Sequence, residues 1–109
     1  MKVIIYAGGE YMTGDDVALA LMEYSRALAE EITAETVEIP ILERDGSRGA
    51  ATFLVGPASQ IVAKDVESEF DELIDPVAVT RLQRLTAGLH LVVRPETSPE
   101  PIGWVGDGI

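Results

Sequence analysis

The sequence predicts a two-layer α+β domain in which one long amphipathic helix packs on one face of a mostly antiparallel sheet, together with two short helices. Three observations lead to this prediction. The chain has 109 residues, which suits one domain with one core. Residues 15–32 show helical periodicity, and residues 36–43 alternate between apolar and polar side chains like a half-buried strand. We expect a single domain over residues 1–95 and a proline- and glycine-rich tail over residues 96–109.

The helix predicted over residues 15–32 is the longest stretch in which one periodicity explains nearly every apolar residue. Thr13 precedes it with a hydroxyl suited to capping free amides, and Asp15 and Asp16 place negative charge at the positive end of the helix dipole. At about 100° per residue the apolar side chains form one core-facing stripe. The stripe consists of Val17, Ala20, Leu21, Tyr24, Leu28 and Ile32.

The first strand is predicted over residues 2–7, which are rich in β-branched and aromatic side chains. Gly8 and Gly9 follow it and accept the positive φ of a tight turn. Residues 10–12 then either return as the second strand of a hairpin or form a loop before the helix.

A second hairpin is predicted after the helix, with strands at residues 36–43 and 50–55 joined by turn-forming residues 44–49. Pro40 lacks an amide proton, so we expect it on an edge strand or at a bulge. Residues 60–63 form a short apolar run that could extend the sheet. The residues expected to face the long helix are Val3, Ile5, Val37, Ile39, Ile41, Phe53, Val55 and Val92.

The second half of the chain predicts two short helices and a last strand. Residues 65–74 have helical apolar spacing and many carboxylates, which indicates a short acidic helix. Asp75 and Pro76 suit the start of the next helix, and Gly88 suits its end. Residues 90–94 then read as a strand.

Composition excludes several function classes. Eight basic residues against nineteen acidic ones give a net charge of −11, which disfavours nonspecific binding to nucleic acid or to an anionic membrane. Cysteine is absent, so disulfide frameworks and thiolate chemistry are excluded. We find neither a signal peptide nor an apolar run of the roughly 20 residues that a membrane span needs, so we expect a cytoplasmic protein.

No motif in the sequence predicts a catalytic residue, a metal or a cofactor. The acidic run at residues 65–72 has Phe70 where a calcium-binding EF-hand loop requires glycine. His90 is the one imidazole, and it is a weak acid/base candidate that needs a carboxylate partner. Arg81 and Arg84 lie three residues apart, so they form either a weak anion site or surface ion pairs.

Three residues are candidates for an interface. On the long helix, Leu19 and Met22 lie about 200° and 140° from the core stripe, so a helix covered on one side leaves both in water. Their pattern fits a homodimer interface, although cover by the chain itself or ordinary isolated exposure explains it equally well. Trp104 makes the tail too apolar for a free end, so we expect it to dock on the domain or on another copy.

These observations favour a small acidic interaction or assembly module without catalytic machinery. An acidic adaptor or inhibitor of a basic protein, similar in kind to an antitoxin, is the second hypothesis. A small enzyme that uses His90 with a carboxylate is the third. The first two differ in salt dependence, because a complex led by charge weakens steeply as ionic strength rises.

Overall fold

The computed structural model describes residues 1–93, and the side chains of residues 1–89. This part of the chain is an α+β fold with a five-stranded antiparallel sheet and two helices. The strand order is β4-β3-β2-β1-β5. The elements are β1 (Lys2–Tyr6), β2 (Gly9–Thr13), α1 (Asp15–Glu30), β3 (Glu35–Leu42), β4 (Arg48–Val55), β5 (Ile61–Asp65) and α2 (Pro76–Val93).

The predicted long helix and the hairpin predicted after it are confirmed, and of the two alternatives for residues 10–12 the returning strand is the one that forms. The long helix ends at Glu30, slightly earlier than expected. Between β1 and β2, Ala7 and Gly8 have φ angles of 51° and 82°, so this connection is a two-residue turn with both central residues in the left-handed region. A turn of this kind matches the twist of its flanking strands, which explains why the chain returns directly as β2.

The start of α1 is capped differently from the sequence-based expectation. Gly14 occupies the cap position and makes no side-chain cap bond. The backbone N–H of Asp15 instead donates to Oε2 of Glu72, at 2.6 Å. Thr13 is turned away from the helix, and its hydroxyl donates to the carbonyl oxygen of Pro40 at 2.7 Å. The expected cap by Thr13 is therefore wrong.

The acidic helix predicted over residues 65–74 is also wrong. Asp65 ends β5, and residues 66–75 contain no helix. A helix here would stack like charges four residues apart, such as Glu67 above Asp71, and such pairs destabilise helices. The segment is held by tertiary contacts, because Leu73 is buried in the core and Phe70 packs beside the turn between β3 and β4.

The strand predicted over residues 90–94 is wrong as well, because α2 continues to Val93 and includes His90. Gly88 was expected to end the helix, but it does not adopt a positive φ. A short apolar run fits a strand or a buried helix equally well, and here continuation of the helix prevails. The described residues therefore contain two helices instead of three.

The sheet curls strongly around its core. Adjacent strands lie 4.7–4.9 Å apart, so β1 and β4 would be about 14 Å apart in a flat sheet. The ring of Tyr6 on β1 nevertheless stacks on Phe53 of β4, with centroids 5.5 Å apart. Tyr11 on β2 packs edge-on against the same phenylalanine at 5.1 Å. The β3–β4 hairpin therefore folds across the concave face, where α1 also packs.

The core confirms the prediction for β3 and β4 and corrects it for β1. Ile4 is fully buried, whereas Val3 and Ile5 are half-buried on the opposite face, so the expected phase of β1 was wrong. Both faces of β1 carry apolar residues, so its sequence pattern does not show which face is turned towards the core. Confirmed core residues are Val37, Ile39, Ile41, Phe53 and Val55. The side chain of Val92 lies outside the described residues.

Pro40 lies in β3, which is the second strand of the sheet. The prediction that Pro40 lies on an edge strand is therefore wrong. Among the described residues, however, β2 pairs with β3 only where Met12 meets Leu42. Beyond that point β3 has β4 as its strand neighbour. The bond from Thr13 shows that the carbonyl of Pro40 points away from β4. Its missing N–H therefore leaves no gap in the β3–β4 ladder.

Candidate functional site

Two of the three predicted interface residues, Leu19 and Met22, lie on α1. Leu19 is 54% exposed and lies in a groove of about 590 Å³ between α1 and α2, where Ala20 and Val79 also contribute. Met22 is half-buried. The tail of residues 96–109, including Trp104, lies outside the described residues, so its expected docking stays a prediction.

The predicted anion site is occupied by a structural contact. Arg81 and Arg84 both line a groove of about 550 Å³ on α2. Arg81 donates from Nη2 to the carbonyl oxygen of Glu38, at 2.5 Å. This carbonyl lies in the part of β3 that does not pair with β2, so the arginine supplies the hydrogen bond that a neighbouring strand would otherwise give. His90 lies in α2, and its side chain is outside the described residues.

The described side chains, those of residues 1–89, include no cluster of three His, Cys, Asp or Glu residues that could hold a metal ion. Neither of the two helices within residues 1–93 has the length and apolar character required to cross a membrane.

A cleft of about 740 Å³ opens where the C-terminal end of β4 approaches the ends of β1 and β5. It is lined by residues 5–8, Ala34, residues 54–60 and Val62, and none of these residues is charged. Leu54 and Val62 present the most exposed large apolar side chains there, at 60% and 52%.

A hydrogen-bonded loop shapes one wall of this cleft. The N–H of Gly56 donates to the hydroxyl of Ser59 at 2.9 Å, and the N–H of Ser59 donates back to the carbonyl of Gly56 at 3.1 Å. The hydroxyl of Tyr6 lies 3.2 Å from that of Ser59 and donates to the carbonyl of Leu54. These bonds tie the end of β1 to the end of β4 and hold the cleft in shape.

The chemistry of the cleft suits binding more than proton transfer. Its polar side chains are the hydroxyls of Tyr6 and Ser59 and the amide of Gln60, and it contains no carboxylate, imidazole or amine. General acid/base catalysis most often uses histidine, a carboxylate or lysine, and the lining of this cleft contains none of these. An apolar, uncharged surface is what a protein partner would bury.

Residues 54–60 and Val62 of the cleft lining belong to a longer stretch without carboxylates, which we call the acid-free segment and define as residues 46–64. It includes β4, the loop of residues 56–60 and most of β5. All 19 acidic residues of the chain lie outside it, and its charged residues are Arg48 and Lys64. The sequence shows this gap and a second one of 20 residues at positions 76–95.

Both edge strands of the sheet lie in the acid-free segment, apart from the last residue of β5, Asp65. In the described residues β4 pairs with β3 alone, and β5 pairs with β1 alone. The two edges differ in protection. β5 has five residues and ends in the exposed charges Lys64 and Asp65, whereas β4 has eight residues and carries no charge after Arg48. Short strands and charges are the usual protection of an edge against pairing, and β4 lacks both.

Comparison of the chain with protein-family models, with curated proteins and with solved structures gives no match.

Proposed function

We propose that the protein is a non-catalytic interaction module that binds another protein chain through its acid-free segment. The observation that supports this proposal is the absence of carboxylates from one exposed region of a chain with a net charge of −11. That region combines the apolar cleft with an unprotected strand edge. Charged residues are depleted in the cores of protein interfaces, whereas a merely solvated surface has no reason to exclude them.

The geometry of the cleft supports the same proposal. Leu54 and Val62 are both exposed on its lining, and Ile5, which lies opposite Val62 in the β1–β5 pair, also lines it. Burying a side chain of this size contributes about 1.5–3 kcal/mol relative to leaving it in water. A partner that covers this lining would therefore gain most from these side chains.

The test is affinity capture from the native cell extract with a tagged full-length chain. The variant Leu54→Glu/Val62→Glu places two carboxylates in the acid-free segment, and Leu19→Glu is the control because Leu19 is similarly exposed but lies elsewhere. We expect the wild type and the control to retain the same bound chain and the double variant to lose it. Circular dichroism verifies that all three are folded. Capture that is unchanged in the double variant would contradict the proposal.

A second candidate function is an adaptor for a basic protein, and the acidic residues 65–75 favour it. Three carboxylates of this segment bind within the chain: Asp65 pairs with Lys2, Glu72 caps α1 and Asp75 pairs with Arg48. The remaining three are exposed and carry no ion pair in the described structure; they are Glu67, Glu69 and Asp71. Capture that weakens steeply with added salt, and that survives Leu54→Glu/Val62→Glu, supports this alternative.

A further inference from the structure

We propose that the partner of the acid-free segment is a second copy of this chain, which pairs antiparallel with the free edge of β4 across a two-fold axis. This inference rests on the proposed function, because it names the partner and the contact. It joins two five-stranded sheets into one continuous sheet.

The position of Pro40 opposite Ala50 shows which backbone groups of β4 point towards its free edge. In an antiparallel ladder, two opposite residues either exchange both backbone hydrogen bonds or exchange neither. Pro40 lies opposite Ala50, and its carbonyl is bound by Thr13 on the other side. Ala50 therefore turns its N–H and C=O away from β3, towards the free edge. Because direction alternates along a strand, Thr52 and Leu54 point the same way.

A separate contact agrees with this assignment. The hydroxyl of Tyr6 on β1 donates to the carbonyl of Leu54, which is possible because that carbonyl faces away from β3. Within the described residues, the N–H and C=O groups of Ala50 and Thr52 have no hydrogen-bond partner. Such a row of free groups on an edge strand is a template for another strand.

The sequence of β4 makes a second copy a suitable partner. Residues 49–55 contain no charge and no proline, and Thr52 is their midpoint. Pairing centred on Thr52 sets this residue opposite its own copy and Ala50 opposite Leu54 of the partner subunit. Thr52 has both edge groups free, so it can exchange two hydrogen bonds with its own copy, and the free N–H of Leu54 can donate to the carbonyl of Ala50 in the other copy, while the carbonyl of Leu54 keeps its bond from Tyr6. Threonine opposite threonine is also a favourable cross-strand pair.

Charge explains why the contact would form here. Two copies that each carry a net charge of −11 repel one another over most of their surfaces. Along β4 the one charged side chain is Arg48, at the end of the strand. A register centred on Ala51 would place Arg48 opposite Leu54 of the partner subunit, whereas the Thr52 register avoids this pairing.

Single-cysteine crosslinking of the full chain tests the register. The protein has no cysteine, so each variant carries one thiol. Opposite residues that exchange bonds have Cα atoms about 5.5 Å apart, which lies within disulfide range. We expect Thr52→Cys to form a covalent dimer on mild oxidation. Ala50→Cys is the control, because four residues of offset along the strand place its two copies about 13 Å apart.

Sedimentation of the wild type, Thr52→Pro and Leu19→Glu tests the interface itself. We expect a wild-type dimer at tens of micromolar, a folded monomer for Thr52→Pro and a dimer for Leu19→Glu. Proline is tolerated in the monomer because the N–H of Thr52 faces solvent at the edge.

Three results would overturn the inference. A monomeric wild type is the first, and if this monomer still captures another protein through the acid-free segment, the proposed function stands without the second copy. A dimer abolished by Leu19→Glu but kept by Thr52→Pro is the second, since it would locate the interface on α1. Equal crosslinking of Thr52→Cys and Ala50→Cys is the third, because the two-fold register forbids it.

Discussion

The carboxylate of Glu72 accepts a hydrogen bond from the backbone N–H of Asp15, at 2.6 Å, and so caps the start of α1. Its other oxygen accepts one from the amino group of Met1, at 2.9 Å. The bond from the Asp15 backbone, followed by the bond from the Met1 ammonium, lowers the pKa of Glu72 below its ordinary value of 4.5. One side chain thus replaces the cap expected from Thr13 and fixes the segment between β5 and α2.

The first prediction concerns this cap. Glu72→Ala should lower the free energy of unfolding by about 1 kcal/mol at pH 7, since that is the usual cost of losing a cap. The pKa of Glu72 is lowered by folding, so its contribution is present above pH 4.5 and is lost as the pH falls through the folded-state pKa. Urea unfolding should therefore show the wild type and the variant converging in acid. Glu69→Ala, at an exposed site in the same segment, should match the wild type throughout; a deficit that persists in acid would refute the account.

The second prediction concerns the turn between β1 and β2. Ala7 holds a φ of 51°, a conformation that asparagine tolerates and alanine does not favour. Ala7→Asn should therefore raise the free energy of unfolding by about 0.5–1 kcal/mol. Gly8→Ala should lower it by about 1 kcal/mol, and because a Cβ there has open space, the loss reports backbone strain alone. Thermal melting of the two variants should show opposite shifts, and shifts of the same sign would contradict this turn geometry.

The third prediction concerns the tie between β1 and β4. Tyr6→Phe keeps the ring stacked on Phe53 but removes the hydroxyl that binds Leu54 and Ser59. We expect a loss of about 1 kcal/mol in chemical unfolding. Tyr11→Phe is the control, because Tyr11 also packs on Phe53 and its hydroxyl makes no hydrogen bond in the described structure. If both variants unfold at the same denaturant concentration, the hydroxyl of Tyr6 does not tie the strands together.

The fourth prediction separates the two arginines of α2. Arg81 binds the carbonyl of Glu38, whereas Arg84 makes no hydrogen bond to the described residues. Arg81→Ala should lower the free energy of unfolding by about 0.5–1.5 kcal/mol, and Arg84→Ala should change it little. If both variants lose the same free energy of unfolding, the loss comes from helix propensity or net charge and not from the bond to Glu38.

The elements that the sequence predicted correctly are those in which local signals agree. In α1 the acidic first turn and the periodicity of residues 15–32 both indicate a helix, and the alternation of β3 followed by turn-forming residues indicates the β3–β4 hairpin. Residues 65–74 failed because their apolar spacing competes with repulsion between carboxylates. Residues 90–94 failed because a short apolar run does not distinguish a strand from the end of a helix.

The candidate site was less accessible from sequence. The gap in carboxylates between residues 46 and 64 can be counted in the sequence. That this gap coincides with a sheet edge depends on the strand order and on the side to which Pro40 turns its carbonyl, and neither follows from local patterns. Leu19 and Met22 remain candidates from the sequence, and the proposed variants test Leu19 directly.

Hydrogen exchange at the amide of Thr52 tests the central claim most directly, because this N–H faces the free edge of β4. The amide of Phe53 serves as the internal control, since it faces β3 and should be protected at every concentration. We predict that the Thr52 amide exchanges rapidly at low micromolar concentration and becomes protected as the protein concentration rises into the dimer range. Rapid exchange of Thr52 at all concentrations, alongside a protected Phe53, would contradict pairing through β4.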